Sequence, residues 1–202
     1  IMYKGFILKF GDLAKTLSLE DWKITSLEDL DSDAEWVAIV TDDAEAYLNE
    51  INAIVTKMKH PKTCFVIDLH LCANYKHLQE LWDNYVMTDR DSVEVLLSFI
   101  HHHLAHHSMI SFTIQDFREH SVPYPLVRAV STEIGKKFPI DLKAKAMCFG
   151  LCFEHDSNQA TSYLNTFNED IEEIDENAFV SWSIQNSADN VIEAIFFYEP
   201  KF

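Results

Sequence analysis

The sequence predicts an α/β fold, and three observations carry that expectation. Two short apolar runs, Trp36–Thr41 and Cys64–Leu69, are rich in β-branched and aromatic residues. Between them, Asp43–His60 places Tyr47, Leu48, Ile51, Ile54, Val55 and Met58 at helical spacing. Strand, helix and strand in that order imply a right-handed crossover in a parallel sheet. A second pattern of strands and helices then follows a long apolar helix, Ser92–His107.

In chain order, Met2–Phe10 alternates imperfectly and reads as a strand, and Ser18–Asp33 as a short helix with loops. Asp42 and Asp43 end the Trp36 strand, and Pro61 stops the helix that follows. Tyr75–Val86 reads as helical. Ser92–His107 is apolar at Val93, Leu96, Leu97, Ile100 and Leu104, with Val95 and Phe99 widening the arc. Such breadth suits a central, mostly covered helix. Thr113-x-x-Asp116 fits a helix start, a variant of the capping box. After Pro123 and Pro125, Leu126–Lys137 reads as a helix, Ala144–Phe153 as a strand and Asp156–Asn168 as a helix. Ala178–Ile184 and Val191–Tyr198 close the chain as strands, joined by a polar loop, Gln185–Asn190, suited to a hairpin. The expected organisation is residues 1–90 as one part, the connecting helix 91–107, and residues 108–202 as the other.

Composition narrows the function classes. The chain has 202 residues, 48% of them hydrophobic, which is enough for a real core. A formal net charge of −17 repels nucleic-acid backbones and anionic membrane surfaces. No apolar run reaches the roughly 20 residues of a membrane span. Cys64, Cys72, Cys148 and Cys152 form no CxxC pair, so reduced, buried thiols and a cytoplasmic protein are expected. The four glycines, Gly5, Gly11, Gly135 and Gly150, are scattered. A phosphate-cradling loop needs clustered glycines, because its N–H groups must approach phosphate closely at positive φ. Loop-type nucleotide binding is therefore disfavoured.

Met109-Ile110-Ser111-Phe112-Thr113-Ile114-Gln115-Asp116-Phe117-Arg118, directly after the long helix, resembles the loop by which one FtsZ or tubulin subunit reaches the nucleotide of its neighbour. Other segments resemble the same family in the same order. Trp36–Thr41 is similar to a strand reading V-A-V-V-T, Lys62–Leu69 to the next strand, and Ser92–His107 to the core helix. Glu176–Ile184 and Ala188–Tyr198 resemble the last two strands. The resemblance covers about residues 36–198. It implies a truncated FtsZ/tubulin-like fold: a small parallel-sheet N-terminal part, a central helix, and a C-terminal α+β domain with a four-stranded-type sheet. It also implies filament-forming, cell-division relatives.

The departures matter as much as the matches. Where the family reads N-x-D-F-A-D-V, this chain has Ser111, Phe112, Thr113, Ile114, Gln115, Asp116 and Phe117. The family's loop acids help position the water that attacks the γ-phosphate. A Thr hydroxyl cannot serve as that base, and only Asp116 keeps its acid. The family's glycine-rich loop should precede Trp36, yet Lys15–Asp33 holds no glycine. A family strand also looks deleted around Ser121–Pro125. The resemblance thus implies a pseudo-GTPase with no cofactor. It would act through a protein partner or self-association, and Ser111, Thr113, Asp116 and Arg118 are the candidate interface residues.

Other residues carry chemistry outside this resemblance. His101, His102, His103, His106 and His107 cluster on the central helix, with His102/His106 and His103/His107 one turn apart. His103 and His107 are the metal candidates of an alternative reading, a metal- or small-ligand-dependent enzyme. The HExxH glutamate is missing, and imidazoles also suit a helix C-terminus. Cys148 and Cys152 share a strand face and read as core. Asp68 and His70 could form an acid/base pair at a strand end, where open sheets place ligands. Glu169, Asp170, Glu172, Glu173, Asp175 and Glu176 read as a solvated face.

Overall fold

A nine-stranded mixed sheet, predominantly parallel, organises the protein. The computed structural model describes residues 5–105, 112–137, 140–155, 158–174 and 177–202. The strands are β1 (Gly5–Phe10), β2 (Trp22–Ile24), β3 (Val37–Thr41), β4 (Cys64–Asp68), β5 (Asn84–Thr88), β6 (Leu126–Glu133), β7 (Ala146–Phe153), β8 (Phe179–Asn186) and β9 (Val191–Tyr198). Across the sheet they run β2-β1-β3-β4-β5-β6-β9-β7-β8. The helices are α1 (Asp12–Lys15), α2 (Leu48–Lys57), α3 (Tyr75–Leu81), α4 (Arg90–Phe99), α5 (Ile114–Ser121) and α6 (Ala160–Ile171).

The parallel crossover read from Trp36 to Leu69 is present: β3 and β4 pair in parallel with α2 between them in sequence. Both strands are buried along their whole length, which explains their unbroken apolar sequence. The Asp89 carboxylate caps α4 by accepting from Ser92 N–H at 2.8 Å. The helix then widens into one π-helical stretch, Ile100–Leu104.

Three apolar layers cover the sheet. On one face, α4 and α5 bury Val93, Leu96, Leu97, Phe99 and Phe117 against Ile7, Val40 and Ile67 on one side and Val127, Cys148 and Phe197 on the other. That layer runs under both halves of the sheet. On the opposite face, α2 and α3 cover Leu8, Ile39 and Val66, while Phe167 of α6 covers Phe149, Leu151 and Phe196.

Several expectations are corrected. Leu126–Lys137 is not helical: its first eight residues form β6, antiparallel to β9 along its full length. Val127 and Ala129 are buried while Arg128 and Val130 face outward, a period of two that the apolar spacing concealed. A strand thus begins at Leu126, immediately after the stretch where the family's strand looked deleted. Tyr75–Val86 splits into α3 and β5; Asn84 turns the chain with its amide donating to the Lys62 and Cys64 carbonyls. Ser18–Asp33 contains a strand, β2. The β8–β9 hairpin does not form. β7, buried at all eight positions, inserts between them, parallel to β8 and antiparallel to β9. A strand apolar on both faces claims the interior of the sheet and displaces a pairing favoured only by loop length. The second helical reading begins at Asp156, outside the described residues, and is realised as α6.

Candidate functional site

The described candidate residues fall in three places: the C-terminal ends of the parallel strands, the start of α5, and the face of the sheet beneath the π-helical turn.

At the strand ends, Gly11 follows β1 with φ +94°. A side chain there would strike Asp42, whose carboxyl carbon lies 2.4 Å from the position of a Cβ. The close approach serves a cap. Asp42, just past β3, accepts from Leu13 N–H at 2.9 Å and from Ala14 N–H at 2.7 Å. The first turn of α1 therefore has its amide donors satisfied by the protein's own carboxylate. Neighbouring acids are similarly committed. Asp43 accepts from Glu45 and Ala46 N–H.

Asp68 is buried at the end of β4. It accepts from the Tyr85 hydroxyl at 2.7 Å and from His70 N–H at 3.0 Å. Burial raises its pKa to about 6, against the lowering effect of those hydrogen bonds. His70 reaches Asp68 through its main chain, and its side chain is exposed, so the two do not form the expected acid/base pair.

Thr113 and Asp116 form a complete capping box. Asp116 Oδ2 accepts from Thr113 N–H at 2.7 Å and from its hydroxyl at 2.6 Å, while Asp116 N–H donates to Thr113 Oγ1 at 3.2 Å. Both polar side chains are used within one turn. Arg118 lies 3.8 Å from Asp83. His120 Nε2 lies 2.9 Å from Ser181 Oγ, tying α5 to β8. Ser111 and His107 lie outside the described residues, as does His106.

Of the histidine cluster, His101, His102 and His103 are described, so neither one-turn pair can be compared. The π-helical turn aims three consecutive imidazoles at three partners. His101 Nε2 is 3.8 Å from Asp21. His102 Nδ1 is 2.8 Å from Glu193 Oε1 and 3.3 Å from Ser98 Oγ. His103 Nδ1 is 3.1 Å from Ser183 Oγ, and its Nε2 is 3.4 Å from Cys152 Sγ. Sheet register explains how they meet. Gly150 of β7 stands beside Ser183 of β8 and Glu193 of β9, and Glu193 beside Ser131 of β6. This polar row crosses an otherwise apolar face, and the missing side chain at Gly150 leaves room for the His103 ring.

Burial sets the protonation of this group. It pulls His103 down to about 3, helped by the charge on His102. For His102, burial also pulls downward, but the hydrogen bond and charge of Glu193 outweigh it and raise the pKa. Burial holds the Cys152 thiol neutral. All four cysteines are free and buried. His102, Cys152 and Glu193 each offer a ligand atom, and these atoms lie within 4.8 Å of one another. An open cleft of about 630 Å³ leads to His102 and Glu193, walled by Glu20, Asp21, Glu94 and Asp189. Sequence reasoning missed Glu193 and Cys152 as partners of the histidines. The signal was Glu193 itself, one acid on the core-facing side of the apolar strand Val191–Tyr198.

No protein-family profile matches the chain, and no curated protein matches it in sequence. Among solved structures it is similar in fold to the empty FtsZ dimer of M. jannaschii, at 12% identity and a TM-score of 0.47 over 82% of this chain and 64% of that one. It is also similar to CetZ from Methanosaeta thermophila strain DSM 6194, at 8% identity and a TM-score of 0.49 over 84% and 62%. TubZ of Bacillus thuringiensis serovar israelensis, in a GTPγS-form protofilament, aligns at 12% identity and a TM-score of 0.38 over 82% and 54%. The chain spans less than two thirds of each of these three, and likeness at such identity concerns the fold alone. No helix among the described residues is long and apolar enough to cross a membrane.

Proposed function

We propose that this chain is a degenerate FtsZ/tubulin-like protein that acts through protein contacts without turning over GTP. Its partner is a second copy or a polymer-forming relative, which it caps or regulates. The Asp42 carboxylate carries this reading. In an open parallel sheet, the turn after the first strand and the helix N-terminus beyond it are where phosphate is received. Here the Leu13 and Ala14 amides already hold a carboxylate. An incoming phosphate would have to displace the Asp42 carboxylate from both amides. The segment that resembles the catalytic loop fits the same reading, because Thr113 offers no base and Asp116 is engaged as a helix cap.

Contact through Thr113–Arg118 follows from the resemblance. The edge strand β8 adds a second surface, exposing Phe179, Val180 and Trp182 beside its unpaired backbone edge. Calorimetric titration with GTP, together with phosphate release, tests the loss of turnover. Sedimentation velocity across a concentration series tests the contacts. No GTP heat and concentration-dependent assembly are expected. Micromolar GTP affinity with turnover would sink the proposal.

A further inference from the structure

We infer that His102, Cys152 and Glu193 form a binding site for a divalent transition-metal ion of the zinc class. The donor set is an imidazole nitrogen, a carboxylate oxygen and a sulfur that becomes a thiolate as the ion displaces the thiol proton to solvent, the mixture that zinc accepts and that hard cations avoid. The spacing is close to what such an ion requires. With ligand bonds of about 2.0–2.3 Å and tetrahedral angles, nitrogen and oxygen should stand roughly 3.3 Å apart, and sulfur and oxygen roughly 3.6 Å. The distances found are 2.8 Å from His102 Nδ1 to Glu193 Oε1 and 3.8 Å from Cys152 Sγ to the same oxygen. The nitrogen–oxygen pair would have to open by about 0.5 Å and the sulfur–oxygen pair to close by about 0.2 Å, with all three atoms within 4.8 Å of one another.

A second observation points to a ligand. Glu193 is 2% exposed, and its other oxygen, Oε2, is buried with no hydrogen-bond partner among the described residues. An unpaired carboxylate oxygen in that setting is costly, and a cation at the cluster would satisfy it. The surroundings are also those of a metal centre. His103, positioned by Ser183, lies against the Cys152 sulfur; the Ser98 hydroxyl, 3.3 Å from His102 Nδ1, would give up that nitrogen to the ion. Outer contacts such as that of His103 fix ligand orientation. Three protein ligands leave a fourth position for water, on the side of the cleft. The carboxylates of Glu20, Asp21, Glu94 and Asp189 along that cleft favour entry of a cation. This set differs from the one-turn pair His103/His107, since His103 serves as a neighbour of the thiol. A nucleophilic role for Cys152 is disfavoured, because the residue is fully buried.

The site stands apart from the GTP question; a chain that neither binds GTP nor assembles can still hold the ion. The test uses the full chain, stripped with a chelator and titrated with Zn²⁺ by calorimetry and with Co²⁺ by absorption. One ion per chain is expected, with a sulfur-to-cobalt charge-transfer band. Cys152→Ser should abolish the band, and Glu193→Gln should weaken Zn²⁺ binding by more than about 100-fold. His103→Asn should cost roughly 10–100-fold, as an outer contact does. Circular dichroism of the stripped variants checks that they fold. Should Cys152→Ser not fold, the band in the unaltered chain still reports the thiolate, and Glu193→Gln still reports the site. Absence of stoichiometric binding, or a cobalt band that survives Cys152→Ser, overturns the inference. Zn²⁺ affinity unchanged in Glu193→Gln does so as well.

Discussion

Gly150 and His103 occupy one volume: a Cβ on Gly150 would stand 2.2 Å from His103 Nε2 and 2.4 Å from its Cδ2. The imidazole is held from the other side by Ser183 and by the Phe99 ring, whose centroid is 5.0 Å away. Gly150→Ala should therefore destabilise by about 1–3 kcal/mol through overpacking. That lowers Tm by roughly 3–10 °C in a chain of this size. Thermal melts of Gly150→Ala, His103→Ala and the double variant check it. Recovery in the double variant is expected, since the two changes share one space.

Asp42→Ala should leave the Leu13 and Ala14 amides without their acceptor. The cost of losing such a cap is about 1–2 kcal/mol, read as a drop in the urea midpoint with unchanged m. Asp42→Asn, which keeps one acceptor oxygen, should lose less. Equal losses for the two variants would mean that charge, and not geometry, makes the cap.

The Thr113–Asp116 pair makes a related prediction with a different control. Thr113→Val keeps shape but removes the hydroxyl that accepts from Asp116 N–H and donates to its carboxylate. A loss of about 0.5–2 kcal/mol is expected from denaturant unfolding. Asp116→Ala should lose a similar amount.

Asp68 gives stability a pH dependence opposite to the usual carboxylate. Its folded pKa, about 6, lies above its ordinary value of 3.8. Between those values the folded state binds more protons than the unfolded one, so stability falls as pH rises. The contribution is fully present below about pH 4 and is lost as pH passes about 6. A shift of this size corresponds to about 3 kcal/mol. Asp68→Asn should flatten this slope in unfolding free energies measured from pH 4 to 7. An identical slope in the variant would rule the assignment out.

The parts of this architecture that were legible in advance are those whose burial is uniform. β3, β4 and β7 are covered on both faces, so their apolar runs announce them. The Thr113–Asp116 cap was legible because both partners lie within one turn. β6 was not, because Leu126, Val127 and Val130 satisfy helical and strand spacing alike, and only pairing with β9 decides. The order β9-β7-β8 depends on contacts between segments far apart in sequence. The His102–Glu193 contact lies beyond local pattern for the same reason, spanning 91 positions. Even with all its residues visible, the site could not be assembled without knowing that Gly150 aligns with Glu193.

The ladder joining the two halves of the sheet is narrow. β5 and β6 share only the pairs Met87–Leu126 and Thr88–Val127. Beneath that seam the layer under α4 and α5 is continuous, whereas the opposite face carries two separate layers. The protein is thus a laminate bonded along one side. Bending at that seam would part the α2/α3 covering from the α6 covering, while the layer under α4 and α5 would have to bend as one sheet of contacts. The edge strand β8 is stitched to that continuous side by the His103 and His120 contacts with Ser183 and Ser181, so the seam is bridged on one face alone.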